Sequence, residues 1–164
     1  MPYNQTTPGL SFIHLLTRNQ PRAMAWVRGG TAAPELSGLV KFYDTPYGGI
    51  LIEAEIFGLP NRAMPGSTDW YAMHIHETGD CSNQFMNTGE HYNPDMVMHP
   101  QHAGDLMPLF ANQGYAWYAY YDKRFQIPEI LNRSVVIHQY RDDFSTQPAG
   151  ASGSRIGCGI IRNV

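Results

Sequence analysis

Along much of the chain, hydrophobic and polar positions alternate in short runs that end at turn residues. Leu39, Lys41 and Tyr43 oppose Val40 and Phe42, and Leu51, Glu53 and Glu55 oppose Ile52, Ala54 and Ile56. This two-residue period is that of a strand with one buried face. Gly29-Gly30, Asp44-Thr45-Pro46 and Gly58-Leu59-Pro60 close the first three runs, Ala23 to Arg28, Gly38 to Tyr43 and Gly49 to Phe57. A polar connection bearing Pro and Gly follows, and Trp70 to His76 reads as a fourth strand. The pattern returns at Leu106 to Phe110, Tyr115 to Tyr121, Ser134 to Tyr140 and Arg155 to Ile161. About eight antiparallel strands with no long helix predict an all-β sandwich or barrel.

Other stretches lack a period. Met1 to Gln20, punctuated by Pro2, Pro8 and then Pro21, reads as part of an irregular leader over residues 1–22, ahead of one domain over residues 23–164. His14, alone among apolar neighbours there, reads as exposed or hydrogen-bonded rather than chemical. Glu77 to Asp105 is rich in Gly, Asn, Asp and Pro and reads as a long loop, a kind that in compact domains usually carries function. Arg141 to Ser154 is a second irregular segment.

Composition changes this picture modestly. The chain has 164 residues, 43% of them hydrophobic, enough for one sizeable core. Its low charged fraction of 15%, with Gly 16, Pro 12 and Tyr 10, agrees with turn-rich β structure. A net charge of -3, with no basic run, argues against nucleic acid or an anionic membrane as partner. Apolar runs such as Ile50 to Ile52 are too short to cross a bilayer, and Leu15 with Leu16 make no signal-peptide core. The chain as written is therefore expected in the cytoplasm, or outside it if this is a trimmed mature form. Cys81 and Cys158 lie far apart without a CxxC pattern, so they are one disulfide or two buried thiols.

The chemistry concentrates in the long loop and the strand before it. Five of the seven histidines lie between Met73 and Asp105, and a sixth is His138. His74 and His76, one residue apart on a strand, share a face roughly 7 Å apart, so both rings can reach one ion. His74, His76, His91 and His138 form an all-imidazole set that suits copper, although zinc accepts the same donors. His91, His99, His102 and Asp105 add a carboxylate and suit tetrahedral zinc. Met73, Met86, Met96, Met98 and Met107 surround the same loop, as packing filler or as soft donors for Cu(I).

The motifs HIHETGDCS, GEHYNP, HAGDL, SVVIH and SGSRIGCGII, in this order, resemble the copper/zinc superoxide dismutase family, of bacterial type, from about Ala23 to the C-terminus. The resemblance implies an eight-stranded Greek-key barrel or immunoglobulin-like sandwich with long metal-binding loops, and an enzyme that turns superoxide into dioxygen and hydrogen peroxide. It implies copper on His74, His76, His91 and His138, with His91 also bridging to zinc on His99, His102 and Asp105. Asp142 matches the carboxylate that orients one histidine of each metal, and Arg155 the cation over copper. Cys81 and Cys158 match the disulfide that ties the metal loop to the last strand.

Two departures from the family shape the expectations. His99 and His102 are unusually close in sequence, so His99 is the zinc ligand to drop first; if it does not reach, zinc is weak or absent and the alternative is a copper-only dismutase. The segment from Arg141 to Ser154 is also short, which implies an open copper site with weak guidance of the anion. A non-enzymatic copper-binding or copper-transfer domain on the same fold is the alternative function. Tyr115, Trp117 and Tyr118 leave open whether a homodimer forms there or whether they simply line the outside of the barrel.

Overall fold

In the computed structural model, which describes residues 8–61 and 69–164, the alternating runs become strands of a curled antiparallel sheet. The strands are β1 (Ala23–Gly29), β2 (Ser37–Asp44), β3 (Ile50–Phe57), β4 (Trp70–Tyr71), β5 (Met73–His76), β6 (Leu109–Phe110), β7 (Ala116–Asp122), β8 (Ser134–His138) and β9 (Arg155–Asn163). Seven of them form one sheet in the order β5-β8-β9-β1-β2-β3-β7, while β4 pairs with β6 in a small second sheet. The all-β architecture is the one the alternation calls for, with one strand more than the eight expected. The extra strand arises because the run from Trp70 to His76 divides at Ala72 between the two sheets.

The leader also differs from the expectation. Pro8–Arg18 forms a helix, α1, where the sequence reads as irregular. Phe12, Leu15 and Leu16 are its half-buried apolar positions, spaced i, i+3, i+4 as on one helical stripe. Phe12 stacks on Tyr121 at 5.2 Å between ring centroids and meets Tyr47 edge-on at 5.8 Å. No residue of α1 is fully buried, which is why its pattern is faint; His14 is exposed on it. Residues 1–7, and most of the connection before Trp70, lie outside the described residues. A short helix, α2 (Ile127–Ile130), seats Ile127 and Ile130 in the core.

The position of the core decides where the histidines go. Ala25, Val27, Val40, Phe42, Ile52 and Ile56 meet on the inner face of the sheet, and burying each large side chain contributes on the order of 1.5–3 kcal/mol. On β5 the inward residues are Met73 and Ile75, and on β8 they are Val135 and Ile137. Strand alternation therefore turns His74, His76 and His138 to the opposite face. The loop after β5 covers that face instead of leaving it to solvent.

The same loop returns twice alongside β5. Glu77 N donates to Glu90 O at 2.9 Å and Tyr92 N to Ile75 O at 2.8 Å, and His76 bridges His91. Further on, Ile75 N donates to Gly104 O at 2.8 Å, and His74 bridges Asp105. These isolated pairings bring His91 and Asp105 beside the strand histidines. Gly104 sits at the crossing, where a Cβ would stand 2.3 Å from Ile75 O and 3.0 Å from Tyr92 N. The contacts are backbone, so a side chain has nowhere to go. Gly104→Ala is expected to cost about 1–3 kcal/mol of stability, read as a lowered thermal midpoint, together with a loss of metal-binding capacity.

Candidate metal centre

The structure gathers the sequence-selected residues into two groups. The ligand atoms of His74, His76, His91 and His138 all lie within 4.8 Å of one another, as do those of His91, His99, His102 and Asp105. All seven side chains are buried. His91 belongs to both groups. His99, expected to be the first ligand to fail, reaches the second group in spite of its short spacing from His102.

Hydrogen bonds on the far side of four of the rings determine which nitrogen faces inward. His76 Nδ1 donates to Gly89 O at 2.9 Å. His138 Nδ1 lies 3.2 Å from Ser152 Oγ and 3.4 Å from Gly153 O. His74 Nε2 donates to Asp142 Oδ2 at 2.8 Å, and His99 Nε2 to Asp142 Oδ1 at 2.7 Å, so one carboxylate orients a ring in each group. Such outer partners fix the tautomer and point the bare nitrogen at the centre.

What faces inward fits a cation. His76 Nε2 and His138 Nε2 stand 3.2 Å apart, and with both Nδ1 atoms committed outward these are two lone pairs directed at each other. His74 Nδ1 and His91 Nε2 are buried with no hydrogen-bond partner. His99 Nδ1 is 3.0 Å from Asp105 Oδ2 but lacks hydrogen-bond geometry. Burying polar atoms without partners costs free energy that a metal ion would offset. Four nitrogens in one group, and three nitrogens with a carboxylate in the other, are donor sets that suit copper and zinc.

The electrostatics agree. Burial, and then the neighbouring His138 and His91, hold His76 far below the ordinary imidazole range. Burial and His91 push His138 down to about 3. Burial lowers His74 and His102 as well, against the field of Asp105. Asp105 is raised by burial but lowered more by its bond from His91 and by the nearby rings, so its net shift is downward. His74, His76, His102 and His138 thus remain neutral donors near neutral pH.

Arg155 reaches the histidine face through an irregularity in the ladder. Ile137 pairs with Gly157 but His138 pairs with Arg155, so the register slips and Ile156 is left unpaired. Ile156 stays in the core, while Arg155 turns toward His138, the re-aiming that a bulge allows. Its Nη1 donates to Phe85 O at 2.9 Å, Met86 O at 3.1 Å and Thr88 Oγ1 at 2.8 Å, and its Nη2 to Gly89 O at 2.8 Å. The accepting turn is anchored by the Cys81–Cys158 disulfide, three residues along β9 from Arg155. Arg155 shares a cavity of about 230 Å³ with His76, His91 and His138, walled by residues 146–149 and 151–153.

Other candidates separate by exposure. Met73 is fully buried in the core, whereas Met86, Met96, Met98 and Met107 are exposed, so the filler reading holds only for Met73. Tyr115 and Trp117 stand in solvent on the outer face of β7 and its flank. Gln147, which grips the backbone of His99 through both atoms of its amide, was not found from the sequence. No spacing or residue type marks a glutamine for that task.

The chain is similar to known proteins over most of its length. The family model described as copper/zinc superoxide dismutase (SODC) matches residues 36–161. Superoxide dismutase [Cu-Zn] of Legionella pneumophila is 33% identical over 137 residues, covering 79% of this chain and 80% of that relative. Copper chaperone for superoxide dismutase of Rattus norvegicus is 32% identical over 139 residues, 77% of this chain, which spans only 48% of the chaperone. Among solved structures, the clock protein EA4 aligns with a TM-score of 0.75 at 26% identity, covering 88% of this chain and 96% of that one.

The metal-free chain is expected to lose stability as pH falls from about 7 to 5. Unfolded histidines protonate near pH 6.5 whereas His74, His76, His102 and His138 resist in the fold, so protons favour the unfolded state. Each such ring removes up to about 1.4 kcal/mol per pH unit. Thermal melts in chelator check this; a midpoint that holds constant across the range would show that the folded rings protonate freely.

Proposed function

Because the family match covers residues 36–161 and the Legionella pneumophila relative is 33% identical over most of both chains, this chain belongs to the copper/zinc superoxide dismutase family, and we propose that it disproportionates superoxide. His74, His76, His91 and His138 would hold copper, and His91, His99, His102 and Asp105 would hold zinc. The observation that carries the reading is the placement of Arg155 in one cavity with three rings of the first group, one of which, His91, also serves the second.

Copper supplies the one-electron chemistry by which two superoxide anions and two protons become dioxygen and hydrogen peroxide, and zinc supplies fixed charge and geometry. The protein's own residues do the rest. Arg155 presents positive charge at the cavity, and its bonds to the 85–89 turn fix its direction. Glu90 stands near enough to temper that charge. His91 turns Nδ1 toward Asp105 Oδ1 at 2.7 Å, into the group that would hold zinc, which leaves Nε2 as the atom that can take up a proton and pass it on. Asp142 keeps His74 and His99 in the required tautomers.

A copper-binding or copper-transfer role is the second reading, favoured by the likeness to the copper chaperone. Assay of superoxide removal by the copper-loaded protein separates the two. The enzyme should act well above free copper and lose that activity in His138→Ala, whereas a binding module would hold copper without such activity. Metal analysis returning copper and zinc in near-equal amounts would count against a copper-only dismutase.

Arg155→Ala is expected to lower the rate at least about tenfold, within the range that steering by a focused charge contributes. Its rate should also fall less steeply with added salt, since exposed charges are screened over about 8 Å at physiological ionic strength. An unchanged salt dependence in the variant would remove Arg155 from this role.

A further inference from the structure

Gln147 is solvent-exposed, yet both ends of its amide are engaged. Oε1 accepts a hydrogen bond from His99 N at 3.0 Å, and Nε2 donates to His99 O at 2.7 Å, with a weaker contact to Ser145 O at 3.3 Å. One side chain thus satisfies the donor and the acceptor of a single residue, as a neighbouring strand would. The ring of that residue is held separately, by Asp142. Two contacts of different kinds therefore join the 141–154 segment to one member of the second group.

The other side of the segment belongs to the first group. Gln147 itself, with Thr146, Pro148 and Ala149, walls the cavity that contains His76, His138 and Arg155. A second cavity, of about 370 Å³, is lined by His91 and His102, and Gln147 and Pro148 line it too. Gln147 thus lines both cavities and clamps His99 at once.

We propose that Gln147 is a positioning residue through which occupation of the His91, His99, His102 and Asp105 group sets anion access at the His74, His76, His91 and His138 group. This rests on the metal assignment proposed above. A metal bound by His99 fixes the peptide that Gln147 grips, and the cavity wall is fixed with it. Without that metal, the hydrogen bonds on His99 are those of Asp142 and Gln147, and the wall and the histidine shift together. The linkage is reciprocal in binding free energy, so an anion in the cavity also alters affinity at the second group.

The test uses the full chain loaded with copper, with and without zinc, and azide as the anionic probe read from the visible spectrum of Cu(II). Zinc is expected to change the azide Kd about fivefold or more in the unaltered protein. That ratio should collapse toward one in Gln147→Ala, with the nitrogen hyperfine pattern of copper unchanged. Gln147→Glu, which keeps the acceptor and loses the donor, should fall between them. The same variants should bind Co(II) at the second group more weakly, by about tenfold for alanine, read from its visible bands. A zinc-dependent ratio that survives in Gln147→Ala, or is absent from the unaltered protein, would overturn the proposal, and so would unchanged Co(II) affinity. A chain that binds no copper at the four histidines would instead overturn the function proposed above, and the Co(II) titration would still decide the role of Gln147.

Discussion

Neutral imidazoles, excluded from water and crowded together with their lone pairs converging, make up an arrangement that the rest of the fold must hold in place. Nothing in the rings themselves favours it. His74 and His91 lie with centroids 3.9 Å apart and His76 and His138 at 5.3 Å, and protonation of His74, His76 or His138 is opposed by burial and by its neighbours. The protein answers from outside the cluster. Asp142, Gly89 and Ser152 each engage a ring from behind, so the inward nitrogens are left bare by the rotational fixing of the outward ones. Removing an outer partner would therefore disturb donor direction before it disturbed packing.

The sheet contributes through its alternation, and the loop through its pairing. Because Met73, Ile75, Val135 and Ile137 go inward, the histidines of β5 and β8 emerge side by side without any special local geometry. His91 and Asp105 come from a segment with no regular structure, yet they are placed by isolated bridges to the same strand. The slip in register beside Ile156 then brings a guanidinium to the edge of the cluster. A core, a loop and one irregular pairing are enough to compose the centre.

Most strands were legible because their alternation survives inspection residue by residue, as in Leu51 to Ile56. The grouping of histidines was legible for a related reason: His74 and His76 share a strand face, and the motif order supplied the remainder. The helix Pro8–Arg18 was not, since Phe12, Leu15 and Leu16 are only half-buried and three residues make a weak stripe. The break at Ala72 was hidden because a chain crossing between two sheets keeps its apolar residues. The reach of His99 was left open by its spacing. Distance along the chain says little once Asp142 and Gln147 hold that residue from another segment, and a contact of that kind leaves no trace in periodicity.

The carbonyl of Gly89 is engaged twice, by His76 Nδ1 at 2.9 Å and by Arg155 Nη2 at 2.8 Å. Its residue has φ of +75°, the left-handed region that favours glycine. One oxygen atom thereby bears on both the basicity a ring offers on its other side and the heading of the nearest positive charge. Tilting that peptide plane would retune the two together, so that electron affinity and attraction for anions are inherited as a single trait rather than adjusted one at a time.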